Sequence, residues 1–292
     1  MKGLTEAIAA VRANRQESLP RTAIAYSLVS GRSVGGVPER ETRFEAKGNG
    51  DATLFRRRPA ADTPALPPGL FRGKVDPEAL LRFLEVLDRS GIDAFRGEAP
   101  GPRDLLRKLQ VVADGRLFSF RWGPMPPGAP PAISEMLAVL SGWESGACPD
   151  PAWRLALKVE SASAASGRLK ARIRIENPGP ETIYLAHPQG LAERGLIALT
   201  LRYGAKPIPV PGVTPLPISV KASRMEPASG DGLRLVPVNA DSPLALDVET
   251  PLEEPGEGRP VGMFALEHYL DSDSVAGLPV FNGAIFSEEF TW

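Results

Sequence analysis

The sequence predicts two parts of different class: an α+β part, built as an antiparallel sheet with helices on one face, followed by an all-β sandwich. Three observations carry this. Up to about residue 147, strand-like segments and amphipathic helical stripes take turns, and the strands come as hairpins. From Trp153 onward the pattern has period two, as in WRLALKVE, and no helical stripe follows. Between them, ESGACPDP (Glu144–Pro151) gathers Gly and Pro where the pattern changes. The boundaries that follow are residues 1–147, a linker at 148–152, and residues 153–292.

The opening MKGLTEAIAAVRANRQESLP is a short amphipathic helix, in which Glu6 and Arg12 interrupt the apolar stretch a signal peptide needs. Thr22–Gly31 is a strand, and Arg40–Arg58 makes two strands around the turn Gly48-Asn49-Gly50-Asp51. After the Pro-rich PAADTPALPPG, Asp76-Pro77 opens a helix with Asp as N-cap and Pro in the first turn. Leu80, Leu81, Leu84 and Leu87 form its apolar stripe, and Gly91 ends it. LLRKLQVVADGRLFSFRW is a hairpin about Asp114-Gly115, and Ala132–Leu140 is a second short helix behind another Pro-rich loop. In the second part, Trp153, Leu155, Leu157 and Val159 point inward. RLKARIRIEN likewise points Leu169, Ala171, Ile173 and Ile175 inward, with Lys170, Arg172 and Arg174 outward. Further strands near 181–187, 196–203, 217–222, 233–236, 244–248, 261–270 and 280–292 imply a sandwich of about seven to nine strands.

IENPGPETIYL (Ile175–Leu185) resembles the strand–Asn-x-Gly–strand hairpin of bacterial immunoglobulin-like domains. LVPVNADSPLALDV, MFALEHYL and FNGAIFSEEFTW are similar to the last strands of those domains. The resemblance covers roughly residues 153–292 and implies an Ig-like fold, with no activity attached. It makes Phe281–Trp292 the final sandwich strand, burying Phe286, Phe290 and Trp292. The adjacent apolar pair Ile285 and Phe286 breaks the alternation, which calls for a bulge or for burial on both faces.

A length of 292 residues is about twice a typical domain, and 42% hydrophobic with 24% charged residues is ordinary globular composition. The net charge of −1 hides a modest basic excess in the first half and an acidic excess in the second, which supports two units but is too weak for a nucleic-acid footprint. One cysteine, Cys148, excludes an intrachain disulfide, and with two histidines it excludes a four-ligand Cys/His zinc site. No apolar run approaches the roughly 18 residues of a membrane span, so the expectation is a cytoplasmic protein.

Several motifs invite chemistry, and each has a plainer reading. GRSVG (Gly31–Gly35) fits G-x-S-x-G with Ser33 as nucleophile, but a nucleophile elbow needs strand, turn and helix, and a hairpin follows here. Cys148 with His187 or His268 as base would make a nucleophile; a small residue in an exposed linker is the plainer account. Asp271-Ser272-Asp273-Ser274 beside Glu267 and His268 offers hard oxygen ligands without the glycine or later glutamate of a calcium loop. PIPVPGVTPLPI (Pro207–Ile218) reads as edge protection before it reads as a polyproline ligand. Two basic features remain. One is Arg56-Arg57-Arg58; the other is Arg154, Lys158, Lys170, Arg172 and Arg174, a ladder on one sheet face if the first two sandwich strands are neighbours.

The expectation is therefore a non-enzymatic binding or regulatory protein of bacterial type whose partner is another, acidic, protein. It places the binding residues at Arg154, Lys158, Lys170, Arg172 and Arg174, with no catalytic residue, metal, cofactor, nucleic acid or membrane. Two alternatives stay open: a hydrolase using Asp/Glu in a cleft between the halves, since paired acids need no short motif, and an exported adhesion or carbohydrate-binding module.

Overall fold

The computed structural model describes residues 2–34, 37–57, 68–92, 105–123, 130–188, 199–205, 218–221, 224–225, 234–252, 260–268, 274–275 and 277–292. The chain divides into two compact units, Met1–Arg57 with Gly69–Ala152, and Arg58–Pro68 with Trp153–Trp292.

In the first unit, helix α1 (Lys2–Ala13) and a single turn α2 (Arg15–Ser18) lead into β1 (Ala23–Val34), β2 (Val37–Lys47), β3 (Asp51–Arg56) and β4 (Gly69–Lys74). Helix α3 (Pro77–Ser90), β5 (Leu106–Ala113), β6 (Arg116–Trp122), α4 (Pro131–Gly146) and the first three residues of β7 (Asp150–Arg154) complete it. The strands form one sheet in the order β6-β5-β1-β2-β3-β4-β7, and its pairings from β6 through to β4 are antiparallel. The α3 start follows its sequence: Asp76 accepts a hydrogen bond from the Glu78 backbone N–H at 3.1 Å and Pro77 opens the first turn. All four leucines of the stripe are buried, with Phe83 and Val86 beside them.

One face of the sheet makes the core of this unit. Ile24, Tyr26, Phe44, Leu54, Phe71 and Leu109 lie under Ile8 and Val11 of α1, Leu84 of α3 and Met136 of α4. Each buried aliphatic or aromatic side chain here contributes about 1.5–3 kcal/mol. Phe44 and Phe83 both pack on Trp143, at ring separations of 5.9 and 5.2 Å.

The Gly/Pro-rich stretch expected as a linker is built into this unit. Helix α4 runs to Gly146, six residues past the expected end, and the chain then returns to the sheet as β7 beside β4. Ala147 O accepts from Lys74 N at 3.1 Å, and a Cβ on Gly73 would stand 1.7 Å from that oxygen. Only glycine permits so close an approach. Strand β4 escaped notice because GLFRGK holds a glycine near each end of a short run that follows a Pro-rich loop.

The second unit continues with β8 (Ala156–Ala165), β9 (Arg168–Glu176), β10 (Ile183–Ala186), β11 (Leu199–Ala205), β12 (Ile218–Lys221) and β13 (Arg224–Met225). It ends with β14 (Leu235–Val238), β15 (Leu244–Pro251), β16 (Pro260–His268), β17 (Ser274–Val275), β18 (Leu278–Pro279), β19 (Gly283–Phe286) and β20 (Phe290–Thr291). Its sheets are open: β13-β15-β9-β8; β12-β11-β16-β19 with β20 also on β16; and the pairs β10-β14 and β17-β18. Inward positions of β9 (Leu169, Ala171, Ile173, Ile175) and of β15 (Leu246, Val248) are buried.

Asn177, 1% exposed, joins three segments through its amide. Its Oδ1 accepts from Arg154 N at 3.0 Å and Gly179 N at 3.1 Å, while Nδ2 donates to Glu181 O at 2.7 Å and Val238 O at 3.1 Å. One side chain thus satisfies four backbone groups at the end of β7, the turn after β9 and the end of β14.

The last residues pair with β16 but not as one strand. Phe286 lies opposite Ala265 and Phe290 opposite Gly262, so the closing segment spends one residue more than its partner. The bulge lies at Ser287: its Oγ accepts from Phe264 N at 2.9 Å and donates to Glu288 O at 2.7 Å. Phe281, Ala284 and Ile285 are buried, whereas Phe286, Phe290 and Trp292, expected buried, are only half-buried. Phe290 stacks on Phe264 at 5.2 Å and Trp292 tilts against Phe290 at 5.5 Å. Both rings cover Gly262, where a Cβ would stand 2.5 Å from the Trp292 ring.

Asn177→Ala leaves four backbone groups without their partner and is expected to cost about 2–4 kcal/mol. Denaturant unfolding followed by Trp fluorescence measures this; a loss under about 0.5 kcal/mol would mean that water replaces the amide. Gly262→Val is expected to displace Trp292 and cost about 1–3 kcal/mol, read as a change in indole emission; unchanged emission would contradict the packing described.

Candidate functional site

The cation ladder expected from sequence lies on neighbouring strands, and three of its cations stand beside carboxylates. Strands β8 and β9 are neighbours, with Lys158 opposite Arg174 and Ser163 opposite Lys170. The register slips between Val159 and Ser161, making Glu160 the extra residue of a bulge. Its carboxylate meets Arg172 at 3.2 Å and Arg174 at 3.3 Å. Glu176 meets Lys158 at 2.7 Å and Arg174 at 3.3 Å, and Asp247 on β15 meets Arg172 at 3.6 Å. Lys170 faces Glu249 across the β9–β15 pairing. Arg154 sits apart from these pairs, tied through its backbone N–H to Asn177. Exposed pairs of this kind are worth about 0–1 kcal/mol each, and they place a carboxylate within 4 Å of Lys158, Arg172 and Arg174. The break in alternation at Glu160 was the sequence signal for this.

The other candidates disperse. Ser33 pairs with Pro38 in the β1–β2 hairpin, so no helix follows it; Gly35 lies outside the described residues. Residues 271–273 and 207–217 also lie outside them. Among the described residues no group of three or more His, Cys, Asp or Glu side chains could hold a metal ion, and no helix is long and apolar enough to cross a membrane.

Cys148 is not an exposed linker residue: it is buried at 8% exposure, among groups that share its displacement. Burial pushes its thiol up to about 11, with Arg56 opposing, so the thiol stays protonated at neutral pH and is no nucleophile. Burial likewise raises Tyr26 to about 12, opposed chiefly by Arg107, and raises Glu144, opposed by Arg56. Arg56 is itself lowered by burial; it lies over the Phe71 ring at 5.2 Å and donates to Glu144 O at 3.4 Å. Of the arginine triplet, Arg57 is 2% exposed and bound to Glu41 at 2.9 Å. Neither described arginine of the triplet offers charge to a partner.

The face of the first unit's sheet opposite the helices is different. Reading inward from the β6 edge, one row of paired residues is Arg121, Lys108, Ser27, Arg43 and Phe55; the next is Ser119, Gln110, Ala25, Glu45, Thr53 and Arg72. All of these are half-buried or exposed. Asp114 (φ 49°) and Gly115 (φ 69°) form a two-residue turn, so Ala113 and Arg116 close the hydrogen-bonded pair. Alternation then makes Lys108 and Arg121 a non-hydrogen-bonded pair, in which side chains stand closest. Neither makes an ion pair among the described residues, although like charges placed directly opposite destabilise a sheet. Arg43 is paired with Glu45 at 3.3 Å and Lys74 with Asp51 at 2.5 Å. Hydrogen bonds from Lys74 and Asn49 hold the Asp51 carboxyl below its ordinary value. A groove of about 410 Å³ runs along the β2–β4 side of this face, lined by both signs: Glu45, Lys47, Asp51, Arg72, Lys74 and Asp150.

No family model matches the chain, and no curated protein matches it in sequence.

The shifted groups set a pH dependence. Tyr26 and Cys148 titrate higher in the fold than their ordinary 10.0 and 9.0, so the stability tied to their protonated forms is complete below pH 9 and is lost as pH rises to 12. Denaturation midpoints should fall through that window, and Tyr26→Phe should flatten the fall; an unaltered slope would contradict burial of the phenol. Glu144 is raised too, so its contribution is lost as pH rises above about 4.5. Glu144→Gln should stabilise the protein at pH 7 but not at pH 4.

Proposed function

We propose that the protein is a non-enzymatic binding protein for an acidic protein partner, docked on the open face of the first unit's sheet. The observation that carries this is the Lys108–Arg121 pair: two cations directly opposite on one sheet face, with no acid paired to either among the described residues. A purely structural face would gain from an acid at either position, as Glu160, Glu176 and Asp247 provide on the β8–β9 ladder. Partner binding explains an uncompensated repulsion, because a carboxylate arriving between the two cations relieves it. Lys47 widens the patch across the sheet, on the same side as Ala23, with which it pairs.

Protein is favoured over single-stranded nucleic acid by the aromatic content of the two rows described above. The aromatic in these two rows, Phe55, already carries the guanidinium groups of Arg43 at 5.6 Å and Arg57 at 5.2 Å, which compete with a stacking base. For the second unit we keep the Ig-like sandwich as the reading of its fold. It is supported by the Asn177 amide within the hairpin that suggested the family and by the Ser287 bulge in the closing segment.

The test is titration of the full chain with poly-L-glutamate, and with a single-stranded oligonucleotide as comparator. Lys108→Glu should weaken poly-L-glutamate binding at least about tenfold while raising stability by about 0.2–1 kcal/mol, since it turns a like-charge pair into an opposite-charge pair. Arg172→Glu should leave binding unaltered. Weakening by Arg172→Glu but not by Lys108→Glu would return the site to the β8–β9 ladder, and tighter binding of the oligonucleotide would overturn the protein partner.

A further inference from the structure

We infer that the free edge of β6 receives an extended strand of the acidic partner, which joins the sheet as its next strand. This rests on the reading of the open face as an acid-binding surface and adds the way in which the partner is held.

Strand β6 is the last strand on its side of the sheet. Its pairing with β5 alternates from the turn, so Arg116, Phe118, Phe120 and Trp122 spend their backbone groups on β5. Leu117, Ser119 and Arg121 direct theirs outward. All three residues are exposed, and Leu117, at 63%, is the more exposed of the two large hydrophobic residues that stand out from the surface among the described residues. Edges are ordinarily blunted by proline, a bulge or an overlying segment. RLFSFRW has no proline, and its register with β5 is unbroken over all seven residues.

The side chains specify what fits. A strand added to this edge places alternate residues on the open face, next to Leu117, Ser119 and Arg121. Those near Arg121 also come within reach of Lys108, and acids are selected there. The intervening residues fall on the helix-covered side, against Phe118 and Phe120, which pack at the rim of the core only partly buried; apolar residues are selected there. The partner segment is therefore about five to seven residues long and alternates acidic and apolar side chains, the strand-addition mode of peptide recognition. A second copy of the chain fits less well. Pairing β6 with itself would bring a second Lys108–Arg121 pair onto the same face, whereas charged edges keep copies apart.

The experiment uses the full chain and two synthetic seven-residue peptides, one alternating Glu and Val, the other Lys and Val. Amide hydrogen exchange is read residue by residue. The Glu/Val peptide should slow exchange at Leu117, Ser119 and Arg121 at least about tenfold and leave Phe118 and Phe120 unchanged, and the Lys/Val peptide should do neither. Ser119→Pro removes an outward N–H without touching the β5 pairing, so it should keep the melting temperature and lose peptide binding. If Ser119→Pro does not fold, the wild-type exchange pattern decides alone. Poly-L-glutamate binding that depends on Lys108 without protection of the β6 edge would overturn strand addition and leave the acid-binding face standing. Equal protection by the Lys/Val peptide would overturn the charge selection. Edge protection that grows with protein concentration in the absence of peptide would assign the edge to a second copy instead. Loss of all acid binding would overturn both readings.

Discussion

A seven-stranded sheet, antiparallel from β6 to β4, whose helices lie on one face must meet two environments with one set of strands. The covered face asks for apolar residues at every second position; the other must satisfy water or a partner with the residues between. Every feature of the first unit follows from that division. Tyr26, Phe44 and Leu109 sink under the helices, and their immediate neighbours Ser27, Arg43 and Lys108 surface on the other side by the two-residue period of the strand. No residue of the row is free to change sides without a register slip that would turn the core outward. The cations of the open face are thus fixed in place by the core behind them.

The two charged surfaces make a useful contrast. On β8 and β9 the cations Lys158, Arg172 and Arg174 are met by carboxylates from a bulge, from the same strand and from β15. On β5 and β6 the cations Lys108 and Arg121 stand opposite one another with no carboxylate paired to either among the described residues. Counting Lys and Arg does not separate the two cases, because the ladder is the richer in cations. What separates them is which strands lie side by side, and in what register.

That explains how much was legible in the sequence. Period-two alternation located β9, β11, β15 and β16, and the Asp-Pro start with its leucine stripe located α3, because each of these depends on residues near one another in the chain. The hairpin LLRKLQVVADGRLFSFRW was legible for the same reason, and with it, in principle, the Lys108–Arg121 pairing, which follows from counting outward from Asp114-Gly115. The missed elements depend on distant residues. Strand β7 exists because Gly73 lets Ala147 approach β4, and nothing in ESGACPDP announces that. Cys148 is buried for the same reason, and its place near Arg56 and Glu144 required the end of α4 to return to the sheet. Burial of the closing aromatics follows from the sequence only if they form a single strand; the bulge at Ser287 turns Phe290 and Trp292 onto Gly262 at the rim instead.

The central claim is that carboxylates are received on the open face of the first unit and not on the β8–β9 ladder. Zero-length carbodiimide coupling of poly-L-glutamate to the full chain, followed by peptide mapping, tests it most directly, since the reagent joins a carboxylate only to an amine it touches. The account predicts adducts at Lys108, with Lys47 next, and none above background at Lys158 or Lys170. Adducts concentrated at Lys158 and Lys170, with Lys108 unmodified, would contradict it.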